Sequence, residues 1–403
     1  MTNTPVYCDY NAGAPVRAEA AVAMSRAMAL GGNASSVHSV GRRARAMVED
    51  AREKIAAALD ASAENVVFTS GATEALHLVL DAFDAHARRV TPPRPTRSVN
   101  TEAGVVQIEE YAPYIPSVIV SEAEHDAVFA HAKMRDALRA EVTRDGIIGL
   151  AALERLLAEA EKPALVAVQL ANNETGVIQP IANVAALCRQ HGAMLLVDAA
   201  QAFGRIPVSI ADLDATYLVV SSHKLGGPAG VGALVLARGA PFDTTRFGGG
   251  QERGRRPGTE NMPAIVGFGA AVDWAARERG VEATRLAAMR DRFEAGLPKD
   301  ATIFGANAPR LPNTSNFALP NLAAETAVIA MDLEGVCVSS GAACSSGKVR
   351  SSRVLAAMGV APALAKGALR VSFGHDSKES DVDEALNALS KVAARRKATE
   401  VAA

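Results

Sequence analysis

Cysteine is scarce in this 403-residue chain: Cys8, Cys188, Cys337 and Cys344, with no C-x-x-C pair among them. That spacing excludes a disulfide framework and a cysteine-built zinc site, so no metal is expected and the setting reads as reducing and cytoplasmic. An excess of one charge is missing too, since 42 basic and 44 acidic side chains leave a net charge of −2. No global field then draws the chain to nucleic acid or to an anionic membrane. The short basic run "GQERGRRPG" (250–258) reads as a solvated face. No window approaches the roughly 18 consecutive apolar residues of a membrane span. The opening "MTNTPVYCDYNAGAPV" has no basic stretch ahead of an apolar core, so no secretion signal is expected.

What remains is ordinary globular composition, 49% hydrophobic and 21% charged, in a chain long enough for two domains or one large α/β unit. Short β-branched runs at 65–70, 117–121, 164–170, 193–199, 216–222 and 231–237 alternate with helical stretches such as 39–59 and 182–192. Those ending at Leu170 and Ala199 are almost continuously apolar, as strands covered on both faces are. The alternation predicts a mostly parallel sheet with helices on both sides. From about 263 a long helix, shorter strands and a helical tail predict a smaller α+β domain. The expected division is 16–262 for the large domain, with 1–15 and 263–403 forming the small one. The proline-bearing stretch 87–116 reads as an insertion or mobile loop. "GFGAAV" (267–272) follows no strand and belongs inside a helix, so it is not a dinucleotide fingerprint.

Ligands of open α/β sheets gather beyond the carboxyl ends of the strands, and four of these ends are polar. "FTSGATEAL" runs through Ser70-Gly71-Ala72-Thr73 into a helix start, which offers free N–H groups and a hydroxyl to a phosphate. An ordinary N-cap would explain it as well. Asn172, Asn173 and Glu174 crowd a second end, as a ligand contact or an Asx-turn. Asp198 ends a third, with Gln201 three residues on; a carboxylate there needs a cationic partner, in a salt bridge or a ligand. The fourth, "SSHKLGG", carries Ser221, His223 and Lys224. A phosphate cradle, a buried acid and a lysine at one edge are the equipment for pyridoxal 5'-phosphate. The lysine bonds to the cofactor aldehyde, and the acid keeps the ring nitrogen protonated.

The motifs "DYNAGAP" (9–15), "GNASSVH" (32–38), "TSGATEA", "EHDAV", "NNETG", "VDAAQ", "SSHK", "GGGQERGRRPGTEN" (248–261), "SSGAACSSG" (339–347) and "LRVSFG" (369–374) occur in this order across nearly the whole chain. Together they resemble the cysteine desulfurases among the class-V aminotransferases, fold-type I pyridoxal-phosphate enzymes. The resemblance implies Lys224 as the cofactor-bonding lysine and Asp198 as partner of the ring nitrogen. It implies Gln201 and Asn173 at the phenolic oxygen and His125 stacked on the ring, with a further part in proton transfer. Ala72, Thr73, Ser221 and His223 would hold the phosphate. Thr259 would reach the phosphate of a neighbouring subunit, hence a homodimer. Arg370, helped by Asn33, would clamp the substrate carboxylate. Cys344, among small residues on a pliable loop, would take sulfur from L-cysteine as a persulfide. Alanine would leave, and the sulfur would pass to an acceptor such as an iron–sulfur scaffold protein, with a transient cluster contact at Cys344 as one option. Cys8, Cys188 and Cys337 read as inert. The chain departs from the family at Gly13-Ala14, where threonines are usual, and at Ala34, where proline is usual. A selenocysteine lyase or an aminotransferase of the same fold would share most of these residues.

Overall fold

The computed structural model describes residues 5–91, 94–101, 104–112, 116–341 and 351–402, with side chains left undescribed at 94–112 and 396–402. Its centre is a seven-stranded sheet of β2 (Val66–Thr69), β5 (Ser117–Ser121), β6 (Leu138–Ala140), β7 (Ala164–Gln169), β8 (Met194–Asp198), β9 (Tyr217–Ser221) and β10 (Gly232–Leu236). The spatial order is β2-β10-β9-β8-β7-β5-β6, and only β10 runs antiparallel to its neighbours. Six of the strands are those the apolar runs predict. β6 has only three residues, too few to show a period.

Strand periodicity sorts the sheet's side chains onto two faces. Phe68, Val166, Val168, Leu195, Val197, Leu218 and Val220 join one core. It is covered by α2 (Ser39–Ala58), α5 (Leu150–Glu159), α6 (Ile181–Gln190) and the first half of α7 (Met262–Ala295). Val67, Val118, Val120, Leu165, Leu196 and Val219 join the other, under α3 (Ala72–Val90) and α4 (Asp126–Lys133). Both faces are therefore dry, which explains the near-continuous apolar runs. "GFGAAV" does lie inside α7. A Cβ at Gly269 would stand 2.8 Å from Ala51 Cα, so this glycine lets α7 pack against α2.

The far half of α7 enters a second core with Phe293, Phe317, Leu369, Val371 and Phe373. That core lies against a four-stranded antiparallel sheet of β11 (Thr302–Ile303), β12 (Thr314–Ala318), β15 (Ala368–Ser372) and β14 (Ser339–Ser340), in that order. α8 (Ala324–Leu333) and α11 (Glu379–Ala402) cover it. β1 (Val6–Tyr7) pairs in parallel with β13 (Val336–Cys337), so the start of the chain joins this unit. α1 (Ala18–Leu30) shares the large core with α7, and α9 (Arg353–Ala357), capped by Ser352, is followed by the short α10 (Pro362–Ala365).

The loop expected over 87–116 is corrected in part. Residues 87–90 complete α3, while β3 (Arg94–Thr101) and β4 (Gly104–Ala112) pair as an antiparallel hairpin. Prolines masked it in the sequence, although an edge strand tolerates them.

Candidate functional site

The carboxyl ends of β2, β5, β7, β8 and β9 and the first turn of α3 surround a cavity of about 460 Å³. It is lined by Ala72, Thr73, His125, Asn173, Asp198, Gln201, Ser221, His223, Lys224 and Arg370, ten of the residues singled out from sequence. α3 turns out of β2 at Gly71, and its first N–H groups have no acceptor within the helix. β10 starts directly beneath. A Cβ at Gly232 would stand 2.8 Å from Gly71 Cα, so the cradle needs a glycine there.

Asp198 is 7% exposed at the end of β8, and its Oδ1 accepts the N–H of Ala200 at 2.9 Å. Burial raises its pKa, against the opposing pull of that N–H and of His125 and Lys224. A carboxylate in that setting is short of positive charge. Behind it lies Glu124, fully buried, with Oε1 accepting the Gln169 N–H at 2.8 Å and Oε2 unpaired. Burial pushes that carboxyl well above its ordinary range. His223 moves the other way, down to about 4, through burial and the neighbouring Lys224 and Arg205 charges.

Lys224 sits in a single 3-10 turn after β9. Its Nζ donates to the carbonyl oxygens of Asn11 at 2.6 Å and Ala12 at 2.9 Å. The segment that supplies them is stapled to the lysine turn by Ala14 N–H to His223 O and Arg17 N–H to Gly226 O, both 2.8 Å. Asn11 is the hub of the site. Its Nδ2 donates to Asn173 O and Thr314 Oγ1, its Oδ1 accepts from Asn313 Nδ2, and its carbonyl also accepts from Gln201 Nε2. Arg370, 1% exposed on β15, donates through Nη1 to Asn173 O at 2.9 Å and through Nη2 to Asp9 Oδ1 at 2.6 Å. Its Nε is buried and unpaired.

Glu74 was not anticipated. It lines the cavity, accepts the Ser70 N–H at 2.6 Å and pairs with Arg246 and Arg256. Burial would raise its carboxyl, but the Arg256 bonds and the Ser70 N–H outweigh it and hold the pKa at about 2. Its arginines belong to the segment that carries Thr259. That residue lines an adjoining cavity of about 220 Å³ together with Ser70, Gly230 and Val231, which also line the main one. The backbone before it is strained, with Glu252 at φ 48° and Arg253 at φ 55°. Arg52 of α2 grips Glu252 through two bonds of 2.7 and 2.9 Å, and Phe68 N–H adds a third of 2.8 Å.

Asn33 lines neither cavity. It is exposed, and its Oδ1 accepts the Ser35 N–H at 2.8 Å. Cys344 lies outside the described residues. Burial pushes Cys188 up to about 12 and raises Cys8 and Cys337 too, as inert thiols require. No cluster of metal-ligand type occurs among the described residues, and no helix among them is long and apolar enough to cross a membrane.

The family model of the class-V aminotransferases matches residues 6–92 and 105–385, leaving out a stretch within the hairpin. The chain belongs to this family, in its cysteine desulfurase branch. An IscS-like cysteine desulfurase of Mycobacterium tuberculosis is 36% identical over 98% of both chains. The cysteine desulfurase IscS of Dictyoglomus turgidum is 34% identical over 96% of this chain and 94% of its own. Among solved structures, a NifS-like protein from Rickettsia africae superposes with a TM-score of 0.84 at 29% identity, covering 96% of this chain and 99% of that one. Such enzymes use pyridoxal phosphate, and the residues at the cavity fit it. A buried carboxylate, a lysine amine and a helix-start cradle on one cavity make up the set of groups that such a cofactor would require.

Proposed function

We propose that this chain is a cysteine desulfurase that removes sulfur from L-cysteine, releases L-alanine and carries the sulfur as a persulfide on Cys344. One observation carries the reading. Lys224, Asp198, the Ala72–Thr73 helix start and Arg370 converge on a single cavity in a chain of this family.

When bound, pyridoxal phosphate supplies an electron sink that stabilises negative charge at the substrate's α-carbon. Asp198 would keep its ring nitrogen protonated, Gln201 and Asn173 would hold its phenolic oxygen, and His125 would pack against it. The N–H groups of Ala72 and Thr73, with Ser221 and His223, would hold its phosphate. Thr259 is assigned to the same phosphate from a second copy of the chain, so the working form is a homodimer. The division into 16–262 and 1–15 with 263–403 belongs to this reading. Arg370 binds the substrate carboxylate, for which its buried Nε still lacks an acceptor. Lys224 takes the proton from the α-carbon. The Cys344 thiolate then attacks the substrate sulfur: the S–S bond forms as the C–S bond breaks, and its electron pair returns to carbon. A proton delivered to that β-carbon, and the proton held on Lys224 returned to the α-carbon, complete alanine. The persulfide sulfur leaves for an acceptor protein, an iron–sulfur scaffold in the simplest case, in the cytoplasm.

The test is to incubate the purified protein with cysteine and a thiol reductant and to measure alanine and sulfide. The expected result is equal amounts of both, with neither product from Lys224→Ala or Cys344→Ser. Pyruvate in place of alanine, or undiminished sulfide release from Cys344→Ser, would overturn the reading.

A further inference from the structure

His125 opens α4, and its ring is its own helix cap. Nδ1 accepts the Ala127 N–H at 3.1 Å. A backbone N–H can only donate, so Nδ1 carries no proton, and in the neutral ring the proton sits on Nε2. The next residue outward is held as well. The Ala127 carbonyl lies 3.1 Å from Nε2 of His77 on α3, and a carbonyl can only accept, so His77 is the donor. His77 is in turn stacked on His131 of α4, with ring centroids 4.7 Å apart and planes at 35°. Arg135 ties that end of α4 to Asp81 at 3.2 Å and Asp84 at 2.7 Å on α3. α3 thus presents its first turn to the cavity and, one turn later, a side chain that grips the start of α4.

We propose that His77, which does not line the cavity, is a positioning residue for His125. By holding Ala127 it fixes the N–H that His125 accepts, and so the tautomer with the proton on Nε2. His125 then meets the reacting atoms as a proton donor, without first exchanging the proton between its nitrogens. The tautomer follows from the hydrogen bonds alone, and only the identity of the proton's recipient rests on the desulfurase reading.

The readout is the imidazole ¹⁵N spectrum of the full chain labelled at histidine, with His125 among the eight histidines assigned by its loss in His125→Gln. Wild type should show one protonated and one bare nitrogen, well separated. His77→Gln still offers a donor and should keep the separation. His77→Leu keeps bulk but no donor and should bring the two shifts toward their exchange average. Its kcat for alanine should fall roughly threefold to tenfold, the worth of one neutral hydrogen bond, with KM for cysteine unchanged. Should His77→Leu not fold, Ala127→Pro removes the N–H itself in a first turn that tolerates proline, and should average the shifts equally. A spectrum with separated shifts in whichever of the two variants folds would overturn the proposal. Failure of the wild type to make alanine would instead sink the desulfurase reading, with the spectra still deciding this one.

Discussion

Replacing Arg52 by methionine tests how the strained loop ahead of Thr259 is held. Two successive non-glycine residues in the left-handed region cost about 1–2 kcal/mol each, and Glu252 and Arg253 are such a pair. The Arg52–Glu252 fork that opposes this strain has side chains only 5% and 1% exposed. Removing one partner of a buried pair costs about 3–5 kcal/mol, because the other charge is left without compensation. Arg52→Met leaves the Glu252 carboxylate with the Phe68 N–H alone. Glu252→Gln leaves Arg52 with Glu49 at 3.1 Å and the Val66 carbonyl at 2.8 Å, so it should cost less. The double variant Arg52→Met/Glu252→Met leaves no buried charge and should be more stable than the sum of the single losses implies. Urea midpoints for wild type, Arg52→Met, Glu252→Met and the double variant close a thermodynamic cycle. We expect a coupling of about 2 kcal/mol or more. A coupling under about 0.5 kcal/mol would show two independent sites, and the loop would have to be held by something other than this fork.

Other predictions concern titrating groups. Glu174 is buried against Ser352 Oγ at 2.5 Å, and burial lifts its pKa to about 7 although that hydroxyl opposes the shift. Because the folded value lies above the unfolded one, its contribution is complete below about pH 4.3 and is lost as pH rises through 7. Relative to Glu174→Gln, wild type should therefore lose roughly 3 kcal/mol between pH 4.5 and 8 in urea titrations, and parallel curves would refute this. Glu74 has the opposite sign, its folded pKa being about 2. Its stabilisation is present above about pH 4.3 and is lost as pH falls toward 2. With Arg246 and Arg256 partly exposed, Glu74→Gln should raise the pH of acid unfolding by an amount worth about 1–2 kcal/mol. An unchanged acid midpoint would count against it. Cys8 and Cys188 should stay unmodified when the native protein meets a disulfide reagent at pH 8, as read by peptide mass spectrometry. Labelling of either within minutes would contradict their burial.

The strand ends that carry the chemistry were legible because each joins an apolar run to a polar residue that a core strand does not need. Asp198 and Lys224 are the plainest cases. Three kinds of feature stayed hidden. Periodicity reports which face a residue occupies but not strand direction, so the antiparallel entry of β10 between β2 and β9 had no signal. Asn11 and Asp9 work through partners as distant in sequence as Ser372 and Arg370, and nothing local marks them. His77 looks like any half-buried helix residue, since its role depends on a carbonyl fifty positions away. Asn33, placed by resemblance, is exposed and does not line the cavity, and its side-chain oxygen accepts the Ser35 N–H.

The hub at Asn11 also bears on how the molecule comes to be made. Its partners at 173, 201, 313, 314 and 372 are all translated long after it, and contacts of such separation form late. A nascent chain that has passed Leu236 can already assemble every strand of the central sheet, yet Lys224 will face a roof with few supports until β12 and β15 have emerged. Translation itself thus withholds a finished reaction chamber, and a ribosome-stalled fragment ending near residue 300 should be sheet-folded but unable to process cysteine.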